Sequence, residues 1–490
     1  MTVKCIHLLL LTVALHIPSY VLSTTWYVHP DSTLNSIQAG LDSCAAYDTV
    51  FVGPGIYYEN IDWPYIQGIN LISEHGPDTT IIDGDQNASV IHLSLMASDS
   101  TTVIHGFTIR NGDAWLGGGI YSVGGKPTIS GNIITENTSQ WPVRLHGSER
   151  EAVDIAIGFD SEPAVQHIGP PPQGGGIYTE WSSAVIIDNV IADNTATANG
   201  GGIACFCDAA NISPTIFNNT ISYNTAHTGG AIYIDCPFTM TIIKENTISM
   251  NSADYGGGIA CYYVFQPLLR ITKNMIIENT ADSAGGGIWC YLASSPIIDS
   301  CILSRNVGDG IYSDYYSSPV IAHNNITNNV GFGVRNDDPA ELIIAESNWW
   351  GHASGPYHPT TNPGGLGDSV SDYVDYDPWM MSPGTEEFES LQPVCAVLRV
   401  SPNPFTHLTD IRCQITDNGF ENTHAEAEIR IYDVNGRLIK DFTRLSVIGH
   451  QVSVMWDGAD GTGRPLPGGI YFLRLEGGDY TGTKKMILLK

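Results

Sequence analysis

One short pattern of apolar and polar positions recurs along most of this chain. A glycine run leads into an aliphatic residue at Ile120, Ile177, Ile203, Ile232, Ile259, Ile288, Ile311 and Val334. A second aliphatic column follows at Ile129, Ile186, Ile216, Ile243, Ile271, Ile298 and Ile321, often two residues after a proline. A third runs through Ile134, Ile191, Ile221, Ile248, Ile276, Leu303 and Ile326, and a fourth column is asparagine: Asn137, Asn194, Asn224, Asn251, Asn279, Asn306 and Asn329. The second and fourth columns stay eight residues apart in every unit, while the junctions between units vary. A rigid core with variable junctions is what stacked coils require, because no coil can bury its apolar face alone. Three short β-branched segments per unit, bounded by Gly, Pro and Asn, predict strands rather than helices. Coils lying about 4.8 Å apart would turn the aliphatic columns into continuous internal stacks. The Asn column would form a ladder whose amides satisfy buried polar groups.

Before the repeat, Trp26–Val28 reads as a strand, and Leu34, Ile37 and Leu41 share one face of a short helix placed to cover the open end of the stack. After it, Asn348-Trp349-Trp350-Gly351, Ser354-Gly355-Pro356 and Asp375-Tyr376-Asp377-Pro378-Trp379 supply large rings to close the other end. Asp368, Asp372, Asp375 and Asp377 are candidate oxygen ligands for calcium, although their spacing is not that of a helix–loop–helix calcium site, and capping is the alternative. From Cys395 the pattern changes to longer alternating strands around Val397–Val400, Ile411–Ile415, Ala427–Tyr432, Val452–Trp456, Ile470–Leu475 and Lys485–Leu489, separated by Asn-Gly, Asp-Gly and Pro-Gly-Gly turns. That predicts a β-sandwich of about 95 residues. Residues 382–394 are polar and acidic and read as a linker.

These motifs carry two resemblances. The order Trp-Tyr-Val, Ile-Gln-Ala, Pro-Gly-Ile-Tyr-Tyr-Glu-Asn and Gly-Phe-Thr-Ile-Arg-Asn-Gly is similar to bacterial right-handed parallel β-helix proteins of the pectin-lyase-like class; the handedness comes from that likeness. Gly-Ile-Tyr-Tyr-Glu (55–59) also resembles the opening of pectin methylesterases, but the later catalytic motifs of that family, and those of polygalacturonases, are missing. Neither activity is carried over, and the expectation for this segment is one side chain packed on the coil below and the other facing solvent. In the tail, Ser401-Pro402-Asn403-Pro404-Phe405, Ile431-Tyr432-Asp433-Val434-Asn435-Gly436-Arg437, Trp456-Asp457-Gly458 and Gly469-Ile470-Tyr471 resemble the Ig-like domain of flagellar hook-capping proteins and the C-terminal sorting domains of type IX secretion. The fold class expected is therefore all-β: a right-handed parallel β-helix over 24–381, then a small Ig-like β-sandwich over 395–490 that engages secretion machinery. Residues 1–23 resemble a signal peptide, with Lys4, an apolar run from Leu8 to Leu15 and Val21-Leu22-Ser23. A secreted or outer-membrane-associated, cell-surface location follows, and no later stretch is long and apolar enough to predict a membrane span.

Composition narrows the chemistry. The net charge is −30, with 21 Lys and Arg against 51 Asp and Glu, which disfavours nucleic acid. Of the ten cysteines, Cys5 leaves with the leader; Cys207 with Cys236, and Cys261 with Cys290, would be neighbours on successive coils. Export permits bridges there, and small buried thiols are the alternative. Cys395 and Cys413 are a further pair on adjacent strands.

Strand residues alternate in and out. If the first aliphatic column points inward, Tyr121, Tyr178, Ala204, Tyr233, Ala260, Trp289, Tyr312 and Arg335 point outward, and so do Val123, Glu180, Phe206, Asp235, Tyr262, Tyr291 and Asp314. A stripe of rings with interspersed acids suits a polysaccharide, and makes Tyr178, Glu180, Phe206, Tyr233, Asp235, Tyr262, Trp289, Tyr291, Tyr312 and Asp314 candidate binding residues. The alternative is that the rings pack under loops. Glu180 and Asp235 are also an acid–base candidate for glycoside cleavage. The insert between Asn137 and Gly174 adds roughly 30 residues, including Arg144, His146, Glu149, Arg150, Glu151, Asp154, Asp160, Glu162 and His167. Three functions fit: a glycan-binding surface protein, a lyase or hydrolase of the same fold, and a structural adhesin. The resemblance implies that a lyase uses calcium or a basic residue, for which Arg144, Arg150 and Arg335 are the candidates.

Overall fold

The computed structural model describes residues 23–94, 101–141, 171–208, 212–265 and 268–383, and in the tail 395–401, 405, 409–416, 426–433, 437–446, 451–477 and 480–489. The leader, the segment 142–170 that holds every charged insert residue named above, and most of the linker lie outside the described residues.

The repeat folds as a right-handed parallel β-solenoid with three long sheets of 13, 10 and 10 strands among the described residues. Each sheet takes at most one strand from each coil, and every pairing within these sheets is parallel. Ile216, Ile243 and Ile271 are register partners on consecutive coils, and all three are fully buried. The same holds for Ile221, Ile248 and Ile276, and for Ile203, Ile232 and Ile259. Full burial of each such side chain contributes roughly 1.5–3 kcal/mol relative to leaving it in water. The stacked columns make one continuous interior from Val28 to Tyr376.

The glycine run is explained by contact distance. Gly200, Gly229, Gly256 and Gly285 turn the chain with φ between 66° and 69°, a conformation that favours glycine. The next glycine meets the neighbouring coil's backbone: a Cβ on Gly201 would lie 2.5 Å from the carbonyl oxygens of Gly230 and Thr225.

The asparagine column is a hydrogen-bonded ladder. Asn194 donates its backbone N–H and its Nδ2 to Oδ1 of Asn224, at 3.1 and 3.0 Å, and Nδ2 also reaches the Ile134 carbonyl at 2.9 Å. The ladder ends on Asp368, whose carboxylate accepts from Asn328 N, Asn329 N and Asn329 Nδ2. A second ladder runs parallel to it through Asn132, Asn189, Asn219, Asn246, Asn274, Asn324 and Asn348, with Cys301 in the one substituted rung. Its sequence signal was a second asparagine five residues before that of the fourth column, as in Asn219 and Asn224.

Both ends are covered as the sequence predicts. The helix Ile37–Asp42 buries Ile37 and Leu41, and Leu34 packs on the same core from just outside it. One expectation is corrected here. Tyr57 does pack inward, with its hydroxyl donating to the Gly53 carbonyl at 2.9 Å, but Glu59 is not a free solvent-facing acid. Its carboxylate accepts from Ile37 N, Gln38 N and Ser36 Oγ, holding the start of the helix where its N–H groups are unpaired. At the far end Trp350 is fully buried, with Val370, Val374 and Tyr376 joining the core.

The tail forms two antiparallel sheets, of three and four strands, whose inward residues share one core around Trp456, Phe405, Ile429 and Leu473. This arrangement fits an Ig-like sandwich. The strand Leu438–Ser446 is additional to those predicted, since its interleaved Lys440, Asp441 and Arg444 mask the alternation. The expected Cys395–Cys413 bridge is also corrected: Cys395 sits opposite Thr416 and Cys413 opposite Leu398. Three positions out of register is about 10 Å, too far for a disulfide.

Candidate functional site

The candidate face is the outer side of the glycine-led sheet, and its two columns have different environments. The column nearer the glycines is covered. Tyr178, Tyr233 and Trp289 are 1%, 5% and 8% exposed, against the open positions that alternation alone predicts. The segments between the ladder and the glycine run fold over them: Leu116, Tyr255 and Ala284 pack against Tyr178, Ala204, Tyr233, Ala260 and Trp289 as a second apolar cluster. Large rings alternate with alanines on successive coils, with Tyr178, Tyr233 and Trp289 each paired in register with Ala204 or Ala260. For these three residues the packing alternative raised by the sequence describes the environment, and they support the site from beneath.

The next column is half-buried and open to one side: Glu180, Phe206, Asp235, Tyr262 and Tyr291 on successive coils, with Asp314 on the coil beyond. Tyr262 and Tyr291 stack with ring centroids 5.8 Å apart, and Tyr291 continues to the exposed Tyr315 at 5.2 Å. Each rests on a buried ring, Tyr233 under Tyr262 at 6.1 Å and Trp289 beside Tyr291 at 4.8 Å. Tyr315 extends this run of rings and was missed in the sequence, because it follows the strand and lies outside the alternation.

The acids differ in how they are held. Glu180 accepts from the Tyr121 hydroxyl at 3.0 Å. The Asp235 carboxylate makes no hydrogen bond among the described residues, and burial, reinforced by the Asp208 carboxylate, pushes its pKa up to about 7. Glu180 and Asp235 are two coils apart with Phe206 between them. Tyr312 is half-buried, its hydroxyl donating to Asp337 at 3.0 Å, and Asp314 accepts from the Tyr315 backbone N–H at 2.7 Å. Arg335 lies over the Tyr312 ring at 5.0 Å and forks onto Asp337 at 2.9 and 2.6 Å, with Asp309 3.9 Å away.

Among the described residues no cluster of three or more His, Cys, Asp or Glu is placed to hold a metal ion. Of the calcium candidates, Asp368 is engaged by the asparagine ladder and Asp372 by His358 at 3.2 Å. The stacked cysteines are free thiols: Cys207 with Cys236 and Cys261 with Cys290 touch inside the core.

Residues 68–266 and 256–357 match the family described as right-handed β-helix region, covering more than half of the chain. The chain belongs to the right-handed β-helix family. Residues 399–489 match the secretion system C-terminal sorting domain, so this β-helix protein is exported and attached at the cell surface through secretion machinery. No described helix is long and apolar enough to cross a membrane. Two solved structures show similarity. Dimeric latent PorU from Porphyromonas gingivalis is 21% identical over 23% of this chain and 10% of that chain, with a TM-score of 0.18; this chain therefore matches only about a tenth of that protein's length. The A-module of the mannuronan C-5 epimerase AlgE6 from Azotobacter vinelandii is 13% identical over 70% of this chain and 94% of that one, with a TM-score of 0.32. No curated protein matches the chain.

Proposed function

We propose that this exported protein binds a polysaccharide along the half-buried column of its glycine-led sheet, with Phe206, Tyr262 and Tyr291 as stacking platforms and Asp235 and Glu180 as hydroxyl acceptors. The observation that carries this reading is the run of rings from Tyr262 through Tyr291 to the exposed Tyr315, the first two half-buried and each set against a buried ring. Rings held this way lose little conformational freedom on binding, which favours affinity for a repetitive ligand. The coil spacing of about 4.8 Å repeats the platform along the solenoid, as a polymer repeats its sugars. Tyr178, Tyr233 and Trp289 set the position of those rings rather than touching the ligand.

Affinity electrophoresis of the full chain in polysaccharide-loaded gels tests the proposal. Each stacked ring contributes about 0.5–1.5 kcal/mol, so Tyr262→Ala with Tyr291→Ala should weaken retention by roughly 5- to 140-fold. Tyr223→Ala, which removes an exposed ring from another face, should leave it unchanged. Equal retention by the double variant and the wild type would refute the assignment of this face.

A further inference from the structure

The charges around the rings narrow the ligand further. Along the outer face of the glycine-led strands and the turns that follow them stand Glu180, Asp208, Asp235, Asp314, Asp337 and Asp338. Two cations share these elements among the described residues. Arg335 is already neutralised, forked onto Asp337 and close to Asp309. Lys126 lies on the turn after Ile120–Val123, outside the run of rings from Phe206 to Tyr291. No metal-holding cluster among the described residues stands ready to bridge two carboxylates. The whole chain adds a net charge of −30.

We propose that this face selects an uncharged, hydroxyl-rich polysaccharide and excludes polyuronates. The inference rests on the polysaccharide-binding reading above and adds the ligand class. A uronate laid on Tyr262 and Tyr291 would bring its carboxylates against Asp235, Asp208 and Asp314, and among the described residues of these strands and turns no free cation lies beside the rings. Like charges brought together at a partly dehydrated surface oppose binding, the more so at low ionic strength. A neutral sugar meets the opposite situation. The Asp235 carboxylate makes no hydrogen bond among the described residues, and neither do the hydroxyls of Tyr262 and Tyr291, so several polar atoms flank the rings with capacity left for sugar hydroxyls. Asp235 already holds its proton more tightly than an ordinary carboxylic acid because of burial and Asp208. A further negative charge beside it would meet the same resistance.

The test is affinity electrophoresis of the full chain at low salt in gels loaded with a neutral glucan, a neutral mannan, polygalacturonate or alginate, the last two with and without added calcium. The expected result is retardation by at least one neutral polymer, weakened at least about fivefold in the Tyr262→Ala, Tyr291→Ala variant, and none by either uronate. Retardation by a uronate at equal or greater strength overturns the selectivity while leaving polysaccharide binding in place. Absence of retardation by any polymer removes both. Retardation by neutral polymers that survives the double ring variant places the neutral-glycan site elsewhere and also overturns the inference.

Discussion

Cys301 occupies a rung that is asparagine in the described coils on either side of it, so Cys301→Asn should stabilise the solenoid. One coil earlier, Asn274 Oδ1 accepts Asn246 N and Nδ2, both at 2.9 Å, and Asn274 Nδ2 donates to the carbonyls of Ile243 and Thr272 at 2.8 and 3.1 Å. At the cysteine rung the equivalent contacts all run through sulfur. Asn274 N and Nδ2 lie 3.4 and 3.9 Å from Sγ, and Sγ lies 3.4 Å from the carbonyls of both Ile271 and Asp299. A thiol is a weak donor and a weak acceptor, and this one is neutral, its pKa pushed up to about 12 by burial. Four sulfur contacts would become amide hydrogen bonds, whose net worth is about 0.5–1.5 kcal/mol each. Taking a gain of roughly 0.5 kcal/mol per contact gives about 2 kcal/mol, and ordering the longer side chain offsets up to about 1 kcal/mol of it. The expected net gain is about 1 kcal/mol, a rise of about 0.3 M in the urea midpoint if the slope is near 3 kcal/mol per M. Urea titration measures the total, and slower hydrogen exchange at the amides of Asn274 and Cys301 localises it. Cys301→Ala should move the midpoint the other way. A Cys301→Asn midpoint at or below that of the wild type would refute the claim that ladder bonding, rather than packing volume, sets the preference at this rung.

Three further outcomes follow from the same geometry. Gly201→Ala drives a Cβ to 2.5 Å from two carbonyl oxygens of adjacent backbone, and should cost at least about 1–3 kcal/mol, read as a lower urea midpoint and a reduced yield of folded protein. The seven cysteines of the solenoid, from Cys44 to Cys301, are all buried, so iodoacetamide should leave these seven unmodified in the native protein and label them in denaturant without prior reduction; label appearing only after a reductant would show bridges in place of the thiols. Asp235 has an ordinary unfolded value near 4 and a folded value of about 7, so between those pH values the folded chain keeps a proton that the unfolded chain has released. Stability should therefore fall as pH rises from about 4 to 7 and level off above it, by at most about 4 kcal/mol and less to the extent that solvent reaches the group; Asp235→Asn should remove that slope in urea titrations across pH.

The coil architecture was legible because the physics that selects it is local and repetitive. Parallel stacking forces like residues into vertical rows, so Ile216, Ile243 and Ile271, the Asn194–Asn224 ladder and the glycine run each left a column in the sequence before any coordinate was known. Chain ends that must cover an open stack left their mark too, in the helix Ile37–Asp42 and in Trp350. The candidate site was legible only in part. Alternation fixes which residues point away from the core, but it does not say what lies over them. Tyr178, Tyr233 and Trp289 point outward and are nonetheless buried, because segments of variable length bring Leu116, Tyr255 and Ala284 across them. In the same way, Arg335 stands on the outer face as expected, yet Asp337 and Asp309 claim its charge from outside its own strand. Periodicity along the chain determined the register of the solenoid; cover and charge pairing depend on contacts between segments that obey no common period, and only the tertiary structure decided them.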